Sequence, residues 1–111
     1  MSREPHPLGE FEHLVLLAVL RVSDTGEAYG ITVYNELVAR ARRRIARGAV
    51  YMTLDRLEKK GLLSSSLTEP VAERGGRSRR CYQVTKSARA SLRAVRRALM
   101  SFWQDLELAE D

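Results

Sequence analysis

Apolar residues recur along this chain mostly at helical spacing, with one interruption of period two. Phe11, Leu14, Val15, Ala18 and Val22 form one stripe of a helix expected from about Gly9 to Val22, and Leu16, Leu17 and Leu20 form a second. A short helix that is apolar nearly all round must be covered on both sides, and in a chain this small the second cover is expected to be another subunit. Ser23–Glu27 reads as a turn. A second helix, from about Tyr29-Gly30 to Arg42, carries Ile31, Tyr34, Leu37, Val38 and Ala41 on its inner face. Gly48–Leu63 (GAVYMTLDRLEKKGLL) places Val50, Leu54 and Leu57 at i, i+4 and i+7, then stops as helices commonly do, with Lys59-Lys60 in the last turn and Gly61 behind them.

After Gly61 the period changes. Leu63 and Leu67 alternate with Ser64 and Ser66, so residues 62–69 read as a half-buried strand, and residues 79–84, with Tyr82 and Val84 facing one way, read as its partner. Pro70–Ser78 between them is turn-rich, which makes the pair a hairpin with a long tip. Thr85 is a suitable N-cap for a last helix. There Ala88, Leu92, Val95, Leu99, Phe102 and Leu106 recur at spacings of 4, 3, 4, 3 and 4, a short heptad seam. A helix of roughly 24 residues would be about 36 Å long and would project beyond so small a domain. Dimerisation is the reading taken; packing within the chain competes with it. Residues 1–8, with Pro5 and Pro7, are expected to be a loose arm, residues 9–84 the main domain, and residues 85–111 the dimerisation helix. The fold class is mainly α (α+β): three helices, a two-stranded hairpin and a long helix, the order of a winged helix-turn-helix.

Charge sharpens this picture. The 111 residues carry 19 Lys and Arg against 14 Asp and Glu, net +5, unevenly spread. Residues 1–30 are net −3, residues 31–60 net +5, residues 61–97 net +7, and residues 98–111 net −4. A basic middle between acidic ends is a localised patch and points to a polyanionic partner. Cys81, the single cysteine, excludes an intramolecular disulfide, fits a reducing cytoplasm and reads as a small strand hydrophobe. The longest apolar run, Leu14–Leu20, is seven residues, too short for a membrane span. Two histidines, His6 and His13, stand without a carboxylate or cysteine constellation, so neither an enzyme nor a metal or other cofactor is expected.

The candidate chemistry lies opposite the apolar side of the third helix. Gly48, Met52, Asp55 and Lys59 share that face, flanked by Tyr51 and Arg56, a mixed set of groups suited to the DNA major groove. Arg56 could meet a guanine edge or a phosphate. Tyr51 suits a phosphate, and Asp55 could accept from cytosine or steer Arg56 or Lys59. Arg47 continues the basic run Arg42–Arg44 into this helix. Gly30 would leave helix N–H groups open to a phosphate, or is a simple turn glycine. Arg74, Arg77, Arg79 and Arg80 around Gly75-Gly76 make a basic hairpin tip that suits phosphates and the narrow minor groove. The expected dimer interface is Leu16, Leu17, Leu20, Leu92, Val95, Leu99, Phe102, Trp103 and Leu106.

In LVLLAVL (14–20), AYGI (28–31), GAVYMTLDRLEKKGLL (48–63), RGGR (74–77) and YQVT (82–85), in this order, the chain resembles the PadR family of bacterial transcriptional regulators, in particular its short members with a single C-terminal helix. It departs from the family pattern at Ala46, where a serine cap is frequent, and at Ala88, where glycine is frequent. The resemblance implies a cytoplasmic homodimeric repressor that binds double-stranded DNA at a pseudo-palindromic operator. In some members a small-molecule effector acts; none is named by these residues. The rivals are an architectural DNA binder without sequence preference and a winged-helix protein-interaction module.

Overall fold

Residues 8–68 and 78–109 are described by the structure, a computed structural model. Six elements follow in order: α1 (Glu10–Thr25), α2 (Gly30–Ala41), α3 (Arg47–Lys59), β1 (Leu63–Leu67), β2 (Arg80–Val84) and α4 (Lys86–Trp103). The helices enclose one core. Val15, Leu16 and Val19 of α1, Val33 and Leu37 of α2, and Val50, Leu54 and Leu57 of α3 expose almost no surface. Val15, Leu37, Val50, Leu54 and Leu57 lie on the inner faces that the spacing predicts, whereas Val19 and Val33 fall outside the predicted stripes and Val38, expected inside, is 46% exposed; burying each such side chain is worth about 1.5–3 kcal/mol. The wing and α4 close the core with Leu63, Tyr82, Val84, Ala88 and Leu92.

The hairpin pairs β1 with β2 antiparallel, from Leu63 opposite Val84 to Leu67 opposite Arg80. Its other edge is not left bare. Tyr29 bridges Cys81, and the Tyr82 N–H donates to the Ala28 carbonyl at 2.8 Å, so the link between α1 and α2 covers β2. An edge paired this way is no longer a template for strand addition.

Two joints fix α3. At the end of α3, the Gly61 N–H donates to the Glu58 carbonyl and the Leu62 N–H to the Leu57 carbonyl, the paired bonds of a Schellman cap. Gly61 takes φ +78°, which a side chain would disfavour. Thr85 then ties this end to α4. Its hydroxyl accepts from the Ala88 N–H at 3.2 Å and donates to the Gly61 carbonyl at 2.9 Å. The start of α3 has no side-chain cap, as expected with Ala46 at that position. Ala88 is fully buried, so its methyl group fills core space that glycine would leave open.

The structure corrects four further expectations. The first helix continues through Ser23–Thr25 to Gly26, because these short polar residues complete an exposed last turn instead of leaving it. Leu67 is exposed at the far end of β1 and is not half-buried with Leu63. Leu16 is 0% exposed and belongs to the chain's own core, so it has no surface to offer a second copy. Finally, α4 has 18 residues, about 27 Å, and not 24. Gln104 turns extended and Asp105 adopts φ 60°, which puts Leu106 outside the helix. The heptad seam is therefore divided. Ala88 and Leu92 pack inward, whereas Leu99 and Phe102 are uncovered.

Candidate nucleic-acid interface

α3 shows two opposed faces. Val50, Thr53, Leu54 and Leu57 hold it to the core. Outward stand Met52 (66% exposed), Asp55 and Lys59, with Tyr51 and Arg56 beside them. The Lys59 ammonium lies 3.1 Å from the Asp55 carboxylate, one turn back, so Asp55 steers Lys59 among the two partners weighed for it. Such an exposed i,i+4 pair adds only a few tenths of a kcal/mol; its effect is to restrict where the ammonium points. Gly48 has no heavy atom near the position of a missing Cβ, so the first turn of α3 is open to close approach.

Gly30 has a different reason from the one its sequence position suggests. It is buried, and a Cβ there would lie 2.1 Å from the Tyr51 ring. Glycine is needed so that the Tyr51 ring can lie against the start of α2; an open phosphate cradle is not what this packing shows. The contact gathers residues far apart in sequence. Tyr51, Gly30, Arg79 and Arg80 line one cleft with Tyr29 and Tyr82, joining the α2 start, α3 and the wing root. Burial pushes the Tyr82 phenol above its usual 10, partly offset by the charge of Arg80. Arg74 and Arg77 lie outside the described residues.

Three arginines are positioned by neighbours. Arg79 sits over the Tyr29 ring, 5.0 Å from its centre, while its backbone N–H donates to the Thr68 hydroxyl. The Tyr29 hydroxyl in turn donates to Glu27. Arg47 stacks on Tyr34 at 5.1 Å. Arg80 donates to the Ser65 hydroxyl at 2.8 Å. A guanidinium stacked on a ring keeps its donors free at the edges while losing rotamer freedom before any ligand arrives. The supporting tyrosines Tyr29 and Tyr34 were not legible as site residues. Each pairs with an arginine from another element, and only the folded arrangement brings them together.

Charge also ties α1 to both ends of α3. Glu10 meets Arg43, in the turn before α3, at 3.0 Å, and Glu12 meets Lys60, just after it, at 2.7 Å. Burial alone would raise the Glu12 carboxyl. The hydrogen bonds from Lys60 and the Gly9 N–H, with the charges of Lys60 and Arg56, outweigh it and hold the group below its usual 4.5. Arg43 is thus engaged within the chain.

Apart from Leu16, which is in the core, the expected interface residues fall in one region. Leu17, Leu20, Leu92, Leu99 and Trp103 line a groove between α1 and α4, with Val95 half-buried on α4 and Phe102 and Leu106 exposed beyond it. Leu92 is 7% exposed and closes the groove from the core side. His13 lines the same groove, and burial lowers its pKa. Among the described residues no helix is long and apolar enough to cross a membrane.

A three-helix core with a hairpin wing, an exposed mixed-polarity helix and clustered arginines defines a winged helix-turn-helix of the DNA-binding kind. Residues 16–94 match the transcriptional regulator PadR-like family, and the chain belongs to it. Over 85 residues it is 40% identical to the transcriptional regulator Rv3488 of Mycobacterium tuberculosis, a span of 77% of this chain and 75% of that protein. The same fold occurs in a PadR family transcription regulator from Clostridium difficile R20291 (TM-score 0.66, 20% identity, 87% of this chain and 93% of that one). It also occurs in a PadR-like transcriptional regulator from Bacillus cereus (TM-score 0.66, 19% identity, 90% and 93%). The protein is a DNA-binding transcriptional regulator and not an enzyme.

Proposed function

We propose that the protein is a homodimeric transcriptional repressor acting in the cytoplasm on a pseudo-palindromic operator. Two copies of α3 enter successive major grooves about 34–36 Å apart. Met52, Asp55, Arg56 and Lys59 face base edges or nearby phosphates, and Tyr51 bonds a phosphate. Arg47, Arg79 and Arg80, with Arg74 and Arg77 of the wing tip, supply affinity that does not depend on sequence. Gly30 contributes by seating Tyr51. The observation that carries this reading is the cleft in which Tyr51 of α3 meets Arg79 and Arg80 of the wing, because it sets the reading helix and the phosphate-binding arginines side by side.

The test is the salt dependence of DNA binding. If a dimer neutralises roughly eight phosphates, log K against log salt has a slope of about −7. Replacing Arg79 and Arg80 by alanine removes four charges per dimer and should flatten the slope to about −4 while weakening binding to every sequence alike. An unchanged slope would take the wing out of the interface. Repression itself is read from a reporter behind the protein's own upstream region: its output should rise when Lys59→Ala and Arg56→Ala are introduced, and a fall would make the protein an activator.

A further inference from the structure

Carboxylates and aromatic rings hold different cations among the described residues. Arg21, Arg40, Arg43, Lys59 and Lys60 each stand beside a carboxylate of α1, α2 or α3. Arg47 and Arg79 stand over rings instead, 5.1 Å from the centre of Tyr34 and 5.0 Å from that of Tyr29, and among the described residues neither meets a carboxylate. The two holders differ in what they leave for a ligand. A carboxylate offsets the positive charge and competes with a phosphate for the same N–H donors. A ring face attracts the guanidinium plane and leaves its charge and its edge donors in place. Both rings belong to α2. Tyr29 is its N-cap, and Tyr34 follows five residues on, about 7.5 Å along the axis. Each ring is itself anchored. Tyr34 packs against the core cluster. The Tyr29 N–H donates to the Thr32 hydroxyl, its carbonyl accepts from the Val33 N–H, its hydroxyl donates to Glu27, and its backbone bridges Cys81 of β2.

We propose that Tyr29 and Tyr34 are positioning residues for DNA binding: α2, none of whose side chains is assigned to a base, holds the guanidinium groups of Arg79 and Arg47 ready for two backbone phosphates, one at the wing root and one at the start of α3. This rests on the assignment of both arginines to phosphates above. Fixing an arginine on a duplex costs side-chain entropy, and a guanidinium already seated on a ring has lost much of that freedom before DNA arrives. The gain is affinity without base preference, because a phosphate carries no sequence information. Ring and arginine therefore contribute separable properties. Removing the arginine removes charge, so affinity and salt slope fall together. Removing the ring leaves the charge, so affinity falls at every salt concentration and the slope stays.

The test is a double-mutant cycle on the full-length protein, titrated with its own upstream DNA and with a scrambled duplex at several salt concentrations. Tyr29→Leu should weaken binding to both duplexes about fivefold to tenfold and keep the slope at about −7, because a dimer loses two stacks and no charge. Tyr29→Phe keeps the ring and should bind within about twofold of the unaltered chain; a loss as large as that of Tyr29→Leu overturns stacking. Arg79→Ala should weaken binding and flatten the slope to about −5. In the Arg79→Ala background, Tyr29→Leu should cost less than about twofold more, since the ring then has nothing to hold. A ring that only supports the fold would cost the same in both backgrounds. The same cycle is run on Tyr34 with Arg47, and circular dichroism checks that each variant is folded. If one leucine variant does not fold, the other pair decides. If neither folds, Arg79→Lys decides, because it keeps the charge and both rings: a loss of about threefold or more at constant slope supports the platform, and a smaller loss overturns it. If neither Arg79→Ala nor Arg47→Ala changes the slope, the phosphate assignment fails and takes the platform with it. If they flatten the slope while the leucine variants bind as the unaltered chain does, or lose equally in both backgrounds, the platform alone is overturned.

Discussion

α3 and α4 are both amphipathic, yet one is finished within the single chain and the other is not. α3 buries its whole apolar face, its C-terminus is capped through Gly61, and its exposed ammonium is held by Asp55. α4 buries Ala88 and Leu92, then leaves Leu99, Met100, Phe102 and Trp103 uncovered beside cations without carboxylate partners among the described residues. An apolar stripe along a helix tells that one face is destined for burial; it does not tell whether the cover comes from the same chain. The proposed function divides the work along the same line, with reading given to α3 and association to α4.

The contrast can be broken most severely in the core. Leu54→Ala removes a fully buried side chain and should lower the unfolding free energy by about 2–5 kcal/mol. Phe102→Ala, at a position 82% exposed, should change the isolated chain by less than about 0.5 kcal/mol and act on dimerisation instead. Urea unfolding at low protein concentration compares the two, and equal losses would erase the distinction between the helices. Gly30→Ala comes next. Its Cβ would displace the Tyr51 ring, at a cost of about 1–3 kcal/mol if the ring cannot swing away. If it can, the loss should appear as weaker DNA binding on all sequences, and Tyr51→Ala should add little to it in the same background.

Thr85→Ala should cost about 1 kcal/mol by removing the α4 cap, and the freed Gly61 carbonyl adds to that loss. Smallest is the effect of Glu12→Gln. The Glu12 carboxyl titrates below 4.5 when folded, so its stabilising contribution is complete above about pH 4.5 and is lost as pH falls through the folded value. His13, lowered by burial, adds a separate loss that begins below 6.5. The urea midpoint of the Glu12→Gln variant should therefore fall less steeply below pH 4.5 than that of the unaltered chain. Parallel curves would mean that the Lys60 contact is indifferent to the charge.

Much of the reading half was legible in advance, because local signals there agree with the tertiary result. Val50, Leu54 and Leu57 declare the inner face of α3, Gly61 its end, Thr85 the start of α4, and alternation at Tyr82 and Val84 the inner side of the wing. What was not legible depended on contacts distant in sequence. Gly30 is small because Tyr51 lies on it, and nothing local to the α2 start says so. Arg47 and Arg79 owe their placement to Tyr34 and Tyr29. Leu16 lies on a second apolar stripe of α1, and periodicity could not tell which stripe the chain covers by itself. The length of α4 was overestimated because the seven-residue spacing continues to Leu106 although the backbone leaves the helix at Gln104. Spacing records where side chains would fall on a helix and not where the helix stops.

One titration separates sequence reading by the exposed face of α3 from the general affinity of the arginines around it. The purified protein is bound to its own upstream DNA and to a scrambled duplex of equal length and composition, at several salt concentrations. A homodimeric sequence reader should show two protomers per site, a steep salt slope on both duplexes, and a preference for the native one by a factor of roughly 10³ or more. Equal binding to both duplexes would contradict sequence reading and leave an architectural DNA binder; no binding to either at low salt would turn the basic face into a docking surface for protein.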